Sequence, residues 1–327
     1  MNNINLLVTG GCGFIGSNYI GEVIDDPRVN KLVNLDALTY AGSRQNTEEY
    51  EEHEKYWFEH TDLTDIDAVR HVYTMHNITH VVHFAAESHV DNSINGPLPF
   101  IETNIKGTFN LLEVARSEGI KRFHHISTDE VFGHLSRRGF FKETTPYNPR
   151  NPYAATKASA DMLVQSYNTT YRLPTVISNC CNNYGPKQHK EKLIPVIIDN
   201  LINDRSIPVY GDGSNIRDWI YVTDHCRALW RIMESGKTGQ SYNVGSRCEK
   251  TNLTVIFEIC KVLKKDPMQY IKYVKDRAGH DFRYAIDNKK IVTELNWKPE
   301  FNFKQGIKET VNWYVENREQ IFAGESA

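Results

Sequence analysis

An apolar, β-branched run at residues 4–9 breaks into Thr9-Gly10-Gly11-Cys12-Gly13-Phe14-Ile15-Gly16, and an amphipathic stretch follows at once. Three glycines at this spacing between a strand and a helix leave few folds open. A tight turn, a backbone close to a bulky ligand and a helix packed hard on a sheet each call for a residue without a Cβ. Gly10, Gly13 and Gly16 form GxxGxxG, a near variant of the GxGxxG pattern that seats a pyrophosphate on a helix N-terminus. A glycine-rich turn before a helix need not bind anything. Here, however, a second strand-like run at 31–36 ends in Asp36, about twenty residues after Gly16. A carboxylate at that point accepts hydrogen bonds from both ribose hydroxyls and repels a 2′-phosphate, and no Arg lies beside it. The pattern predicts an NAD site in preference to an NADP site.

The alternation continues. Strand-like runs at 56–60, 80–85, 122–128 and 174–179 are separated by stretches with helical spacing at 65–76, 100–118 and 152–172. Strand, helix, strand with short connections implies right-handed crossovers and a parallel sheet covered on both faces. The expected architecture is α/β: a Rossmann-type doubly wound sheet over 1–180 and a smaller α/β part over 181–327, with some segments of the latter returning to the first sheet. Ligands of such sheets lie beyond the carboxyl ends of the strands.

Composition excludes several classes. Lys and Arg total 38 against 41 Asp and Glu, a net charge of −3, with no basic block to neutralise nucleic-acid phosphates. No apolar run approaches the ~18 residues of a membrane span, and the N-terminus lacks a signal-peptide pattern. Six cysteines (12, 180, 181, 226, 248 and 260) form no CxxC pair, which points to reduced thiols in the cytoplasm and to no metal site.

Several residues stand where chemistry belongs. Asp62-Leu63 follows the third strand, within reach of an adenine edge, although Asp62 could equally cap the next helix. Phe84-Ala85-Ala86 ends the fourth, where small residues let a flat ligand pass, or simply pack under a helix. Ser127-Thr128-Asp129-Glu130 ends the fifth. Two adjacent carboxyls there read either as a solvated helix start or as an acid and a base tuned by each other's charge. Tyr153 and Lys157 stand at i and i+4 on one helix face, a common surface pair, but also the spacing at which an ammonium lowers the ~10 pKa of a phenol.

Together these segments resemble the extended short-chain dehydrogenase/reductase superfamily and, within it, the nucleoside-diphosphate-glucose 4,6-dehydratases. The resemblance runs from Thr9 to about Tyr284. Its most specific words are Leu38-Thr39-Tyr40-Ala41-Gly42, Ala85-Ala86-Glu87-Ser88-His89-Val90-Asp91, Ser127-Thr128-Asp129-Glu130-Val131, Asn182-Asn183-Tyr184-Gly185-Pro186, Glu191-Lys192-Leu193-Ile194-Pro195 and Gly211-Asp212-Gly213. It implies a lyase that oxidises a hexose at C4, eliminates water across C5–C6 and reduces C6, with dTDP-glucose as the main substrate and UDP-glucose as the runner-up. Tyr153, Lys157 and Thr128 would serve the oxidation, Glu130 would take the C5 proton, and a protonated Asp129 would donate to the leaving hydroxyl. NAD would be held by Phe14, Ile15, Leu38, Thr39, Leu63, Phe84, Ser88, Thr103 and Asn183 besides the glycines, Asp36, Asp62, Ala85, Ala86, Tyr153 and Lys157.

The resemblance assigns the second half to the sugar nucleotide. Ser88, Asn182, Lys192, Leu193, Pro208, Tyr210, Arg217, Asn252, Arg277 and His280 would line that site with the catalytic residues. Read singly, the two Arg are surface residues, Asn252 is a helix N-cap and Tyr210 a core residue. Ala278 and the stretch Lys187-Gln188-His189-Lys190 depart from the family pattern near the nucleotide. They bear on thymine against uracil, a one-methyl choice worth ~10–200-fold. A UDP-sugar 4-epimerase would keep Tyr153 and Lys157 without needing the carboxyl pair. A non-catalytic NAD sensor would have lost one of Thr128, Tyr153 and Lys157. The resemblance also implies a homodimer paired through the helices at 100–118 and 152–170. Their apolar residues Ile101, Ile105, Phe109, Leu112, Met162 and Leu163 could equally pack on their own sheet.

Overall fold

The computed structural model describes residues 3–276 and 281–322. Among the described residues twelve strands occur in chain order: β1 Ile4–Thr9, β2 Val29–Asp36, β3 Tyr56–His60, β4 His80–His83, β5 Arg122–Thr128, β6 Thr175–Cys180, β7 Asn182–Tyr184, β8 Ile207–Tyr210, β9 Ile216–Tyr221, β10 Ser241–Val244, β11 Glu249–Thr251 and β12 Ile271–Val274. Seven form one parallel sheet in the order β10-β6-β5-β4-β1-β2-β3. The strand order reverses beside β1, between β2 and β4, and there a crevice opens at the carboxyl ends.

The near-continuous apolar strands explain why both faces are covered. On one face Leu7, Val33, Val81 and Phe123 pack with Val72, Leu111 and Val164 from the helices Ile66–Met75, Thr108–Glu118 and Pro152–Tyr171. On the other, Leu6, Val8 and Val82 meet Ile20 and Val23 of the helix Phe14–Val23, and Cys226, Leu229 and Met233 of the helix Val222–Ser235. That second helix, like the outermost strand β10, comes from the second half of the chain. The remaining elements build a smaller lobe around Ile197, Trp219, Ile256 and Ile307, with a three-stranded sheet β11-β9-β7 and a two-stranded sheet β12-β8. Among the described residues no helix is long and apolar enough to cross a membrane.

One predicted helix differs. Residues 100–118 are not continuous: Leu98–Phe100 passes into a π-helical stretch, Ile101–Gly107, before the α-helix Thr108–Glu118. Asn104, inside the wide turn, donates to the Glu87 carbonyl (3.0 Å) and to Thr156 Oγ1 (2.9 Å), and accepts from the Glu87 N–H (2.8 Å). Periodicity cannot register a locally wide turn, because only one residue is gained. Such turns are frequent at functional sites, and Thr103, its neighbour, lines the crevice.

Candidate active site

The glycine loop forms the floor of the crevice. Gly10 has φ +72°, and a Cβ there would stand 2.7 Å from Ala85 Cα, so the ends of β1 and β4 meet only over a glycine. A Cβ on Gly16 would stand 2.3 Å from the Gly10 carbonyl oxygen. Gly13 precedes the helix Phe14–Val23, whose first N–H groups carry no side-chain cap and face the crevice. This is a cradle cut for a phosphate-bearing ligand. Asp36 ends β2 and is buried; Oδ2 accepts from the Cys12 N–H (2.9 Å) and Oδ1 from the Leu38 N–H (2.8 Å). Burial pushes its carboxyl up while these two N–H groups pull it down. Each oxygen keeps a lone pair for a further donor.

At the other end of the crevice five side chains converge. Thr128 closes β5, and its Oγ1 accepts from the Glu130 N–H (3.2 Å), capping the short helical turn Asp129–Phe132. Asp129 is fully buried, with no donor to Oδ2. Burial first, and then the neighbouring Glu130, push its carboxyl well above the ordinary range. Glu130 is half-buried; burial raises it, opposed by Asn151, Arg217 and Lys192. Asn151 does two things here: Oδ1 accepts from the Ala154 N–H (2.8 Å) to start the helix, and Nδ2 donates to Glu130 Oε2 (3.2 Å). The first turn of that helix carries Tyr153, whose phenol feels the Thr128 hydroxyl, and one turn on Lys157 is buried with Nζ donating to the Ile126 carbonyl (2.7 Å).

The phenol departs from expectation. Proximity to Lys157 predicts a lowered Tyr153 pKa, yet burial and the charge on Glu130 push it well above its usual value. Lys157 is itself lowered by burial. Desolvation is the largest influence on both groups.

Thr128, Asp129, Glu130, Tyr153 and Lys157 line one cleft with Gly10, Gly13, Phe14, Ile15, Gly16, Asp36, Thr39, Asp62, Leu63, Phe84, Ala85, Ala86, Ser88, Thr103, Asn182, Asn183 and Lys192. Leu38 is not on the lining; its N–H donates to Asp36. Asp62 is no N-cap: Asp65 caps the helix Ile66–Met75, accepting from Asp67 and Ala68, and Asp62 only bonds the Thr64 N–H (2.8 Å). Leu193, Pro208, Tyr210, Arg217 and Asn252 lie in the smaller lobe, outside the cleft lining. Arg217 is buried, not a surface residue, and stacks over Tyr284 at 4.5 Å. Tyr210 is 45% exposed, not core, and Thr251, not Asn252, caps the helix Asn252–Leu263. Arg277 and His280 lie outside the described residues.

Sequence reasoning overlooked Asn151, which the Asn-Pro helix start signals, and Thr61 and Cys180, which the carboxyl-end rule reaches. It gave no role to Glu191, which lines the cleft with His189, its carboxylate 3.8 Å from His89 and 3.7 Å from His189.

A family model described as GDP-mannose 4,6 dehydratase matches residues 7–310. The chain is 46% identical to dTDP-glucose 4,6-dehydratase 1 of Escherichia coli K12 over 97% of its own length and 94% of the relative's. The crystal structure of the Streptomyces venezuelae dTDP-glucose 4,6-dehydratase DesIV, with NAD bound, superposes with a TM-score of 0.93 at 41% identity, covering 97% of this chain and 98% of that one. A Thermus thermophilus UDP-glucose 4-epimerase in complex with NAD is similar at 28% identity, with a TM-score of 0.88 and coverage of 95% and 99%.

Proposed function

The chain belongs to the nucleotide-sugar 4,6-dehydratase family and, within it, to the dTDP-glucose 4,6-dehydratases, and from that premise we infer that it converts dTDP-glucose to dTDP-4-keto-6-deoxyglucose with NAD as cofactor. The observation that carries this reading is the pair Asp129 and Glu130 on the same cleft wall as Tyr153. A 4-epimerase has no use for two carboxyls there.

When bound, NAD supplies the hydride acceptor at C4 and the hydride donor at C6. The residues fit it: Gly10, Gly13 and Gly16 line the cleft beside the uncapped helix start and would hold its pyrophosphate, and Asp36, on the same lining, would accept from its ribose hydroxyls. The chain's own residues move protons. Tyr153 takes the 4-hydroxyl proton as the phenolate, the form that burial disfavours and the Lys157 ammonium favours, with Thr128 beside the phenol. The 4-ketone makes the C5 hydrogen acidic; Glu130 removes that proton and returns one to C5 when C6 is reduced. Asp129 is kept protonated by burial and by Glu130, and gives its proton to the 6-hydroxyl, which leaves as water.

Lys192 donates to the Ser88 carbonyl (3.2 Å) at the cleft mouth and is assigned to the sugar diphosphate with Arg217. Tyr210, Pro208, Leu193, Asn182 and Asn252, with Arg277 and His280, complete the nucleotide side of the site. Supplying dTDP-glucose and UDP-glucose separately, and following the 4-keto product by its alkaline absorbance, tests both reaction and base. Product from dTDP-glucose, favoured by about 10–200-fold, is expected; no keto sugar from either removes the assignment.

Asp36→Ala is expected to strip most of the NAD that copurifies with the enzyme and to narrow its preference over NADP by at least about 10-fold, a loss of ~1.4 kcal/mol. Unchanged cofactor content counts against the ribose contact. The active form is a cytoplasmic homodimer in this reading. Ile101, Phe109 and Met162 are 45%, 42% and 56% exposed, so packing on their own sheet does not account for them. Five of the six free cysteines are buried, in keeping with a reducing compartment. Phe109→Glu combined with Met162→Glu is expected to yield monomer in sedimentation velocity, with a dimer dissociation constant raised by about 100-fold or more. An unaltered dimer excludes this face.

A further inference from the structure

We infer that Asp161 is a positioning residue of the dehydratase reaction: from two turns along the Tyr153 helix it holds Lys157 charged, and through Lys157 it governs the phenol. The inference rests on the dehydratase reading. Tyr153, Lys157 and Asp161 stand at i, i+4 and i+8 of the helix Pro152–Tyr171, a spacing that keeps them along one face. Lys157 is 4% exposed and Asp161 fully buried. A buried ammonium gives up its proton unless an opposite charge lies near, and the Ile126 carbonyl that Lys157 meets is neutral.

The carboxylate is held as a charge should be. Oδ2 accepts from Ser127 Oγ (2.8 Å) and Tyr147 OH (3.0 Å), with Asn179 Nδ2 at 3.5 Å. Oδ1 receives no hydrogen bond. His125 Nε2 lies 3.3 Å from it on β5, but burial and the charge on Lys157 keep that ring neutral. The titratable groups facing Asp161 are therefore His125 from β5, Tyr147 from the loop before the helix, and Lys157 on its own helix, with Cys180 of β6 facing Lys157. Burial lifts the Asp161 carboxyl to about 6, so it is charged at neutral pH. Three donors fix one oxygen, the other faces the neutral His125 ring at 3.3 Å, and the carboxylate's charge, one helical turn on, favours the Lys157 ammonium.

The test compares the wild-type holoenzyme, Asp161→Asn and Tyr147→Phe with dTDP-glucose across pH. Wild-type dehydratase activity is the separate check on the reading beneath. Asp161→Asn is expected to lower kcat roughly 10- to 100-fold, with KM within about twofold. The alkaline limb of its kcat profile moves toward neutrality, because Lys157 loses its proton at lower pH without the counter-charge. Tyr147→Phe removes one donor from the carboxylate and leaves its charge. Asp161 then protonates more readily, and the acid limb moves to higher pH. A uniform fall in kcat at every pH, or wild-type limbs in both variants, overturns the inference. Should Asp161→Asn not fold, an unmoved acid limb in Tyr147→Phe does so alone.

Discussion

A Glu130→Gln enzyme is expected to bind dTDP-glucose, oxidise it and stop. The amide occupies the same space beside Asn151, whose Nδ2 stands 3.2 Å from Glu130 Oε2, but it cannot accept the C5 proton. Removing a general base costs about 10²–10⁴-fold, so release of the 4-keto-6-deoxy product should fall by that factor. Reduced-nicotinamide absorbance should rise in a single turnover and persist, since C6 never becomes an acceptor. Asp129 also loses its charged neighbour, one of the two groups that hold its proton. The variant therefore removes the base directly and weakens the acid. Product released at the wild-type rate would take Glu130 out of the mechanism.

The second large effect is structural. Gly10→Ala meets two penalties at once. Its φ of +72° lies where a side chain costs about 1–2 kcal/mol, and its Cβ would sit 2.7 Å from both the nitrogen and the Cα of Ala85. Overpacking against rigid backbone adds ~1–3 kcal/mol. Since β1 and β4 form the crevice floor, separating them moves the phosphate cradle. We expect loss of copurifying NAD together with a thermal midpoint lower by several degrees. Gly13→Ala is the control: its φ is −80° and its nearest contact is 3.3 Å. It should remain folded and close to wild type in thermal midpoint. Equal damage from the two changes would contradict the geometry of the loop.

The sheet was legible because its strands are short, apolar and separated by turn chemistry. The cleft was legible because parallel topology forces ligands to the carboxyl ends. Asp36, Thr128 and Ala85 are found by that rule alone. What sequence could not convey depends on dielectric and on distant neighbours. Tyr153 and Lys157 share a helix face as their spacing requires, but the sign of the phenol's shift is set by burial, which spacing does not report. The π-helical turn at Ile101–Gly107 hides inside a helical pattern. Tyr210 and Arg217 exchange their expected environments because β8 lies on an outer two-stranded sheet while β9 is central to its own.

The seventh strand, Ser241–Val244, and the helix Val222–Ser235 reach the main sheet after more than forty residues spent in the smaller lobe. Trp230 of that helix donates to Asp26 Oδ2 (3.1 Å), at the far end of the chain's first crossover. A fragment ending near residue 180 would carry every glycine of the cradle and still leave β6 as a bare edge and Ile20 and Val23 open to water. As the nascent chain leaves the ribosome, the nucleotide-binding half waits on its own distant sequence for completion. No single cut divides this protein into two autonomous pieces.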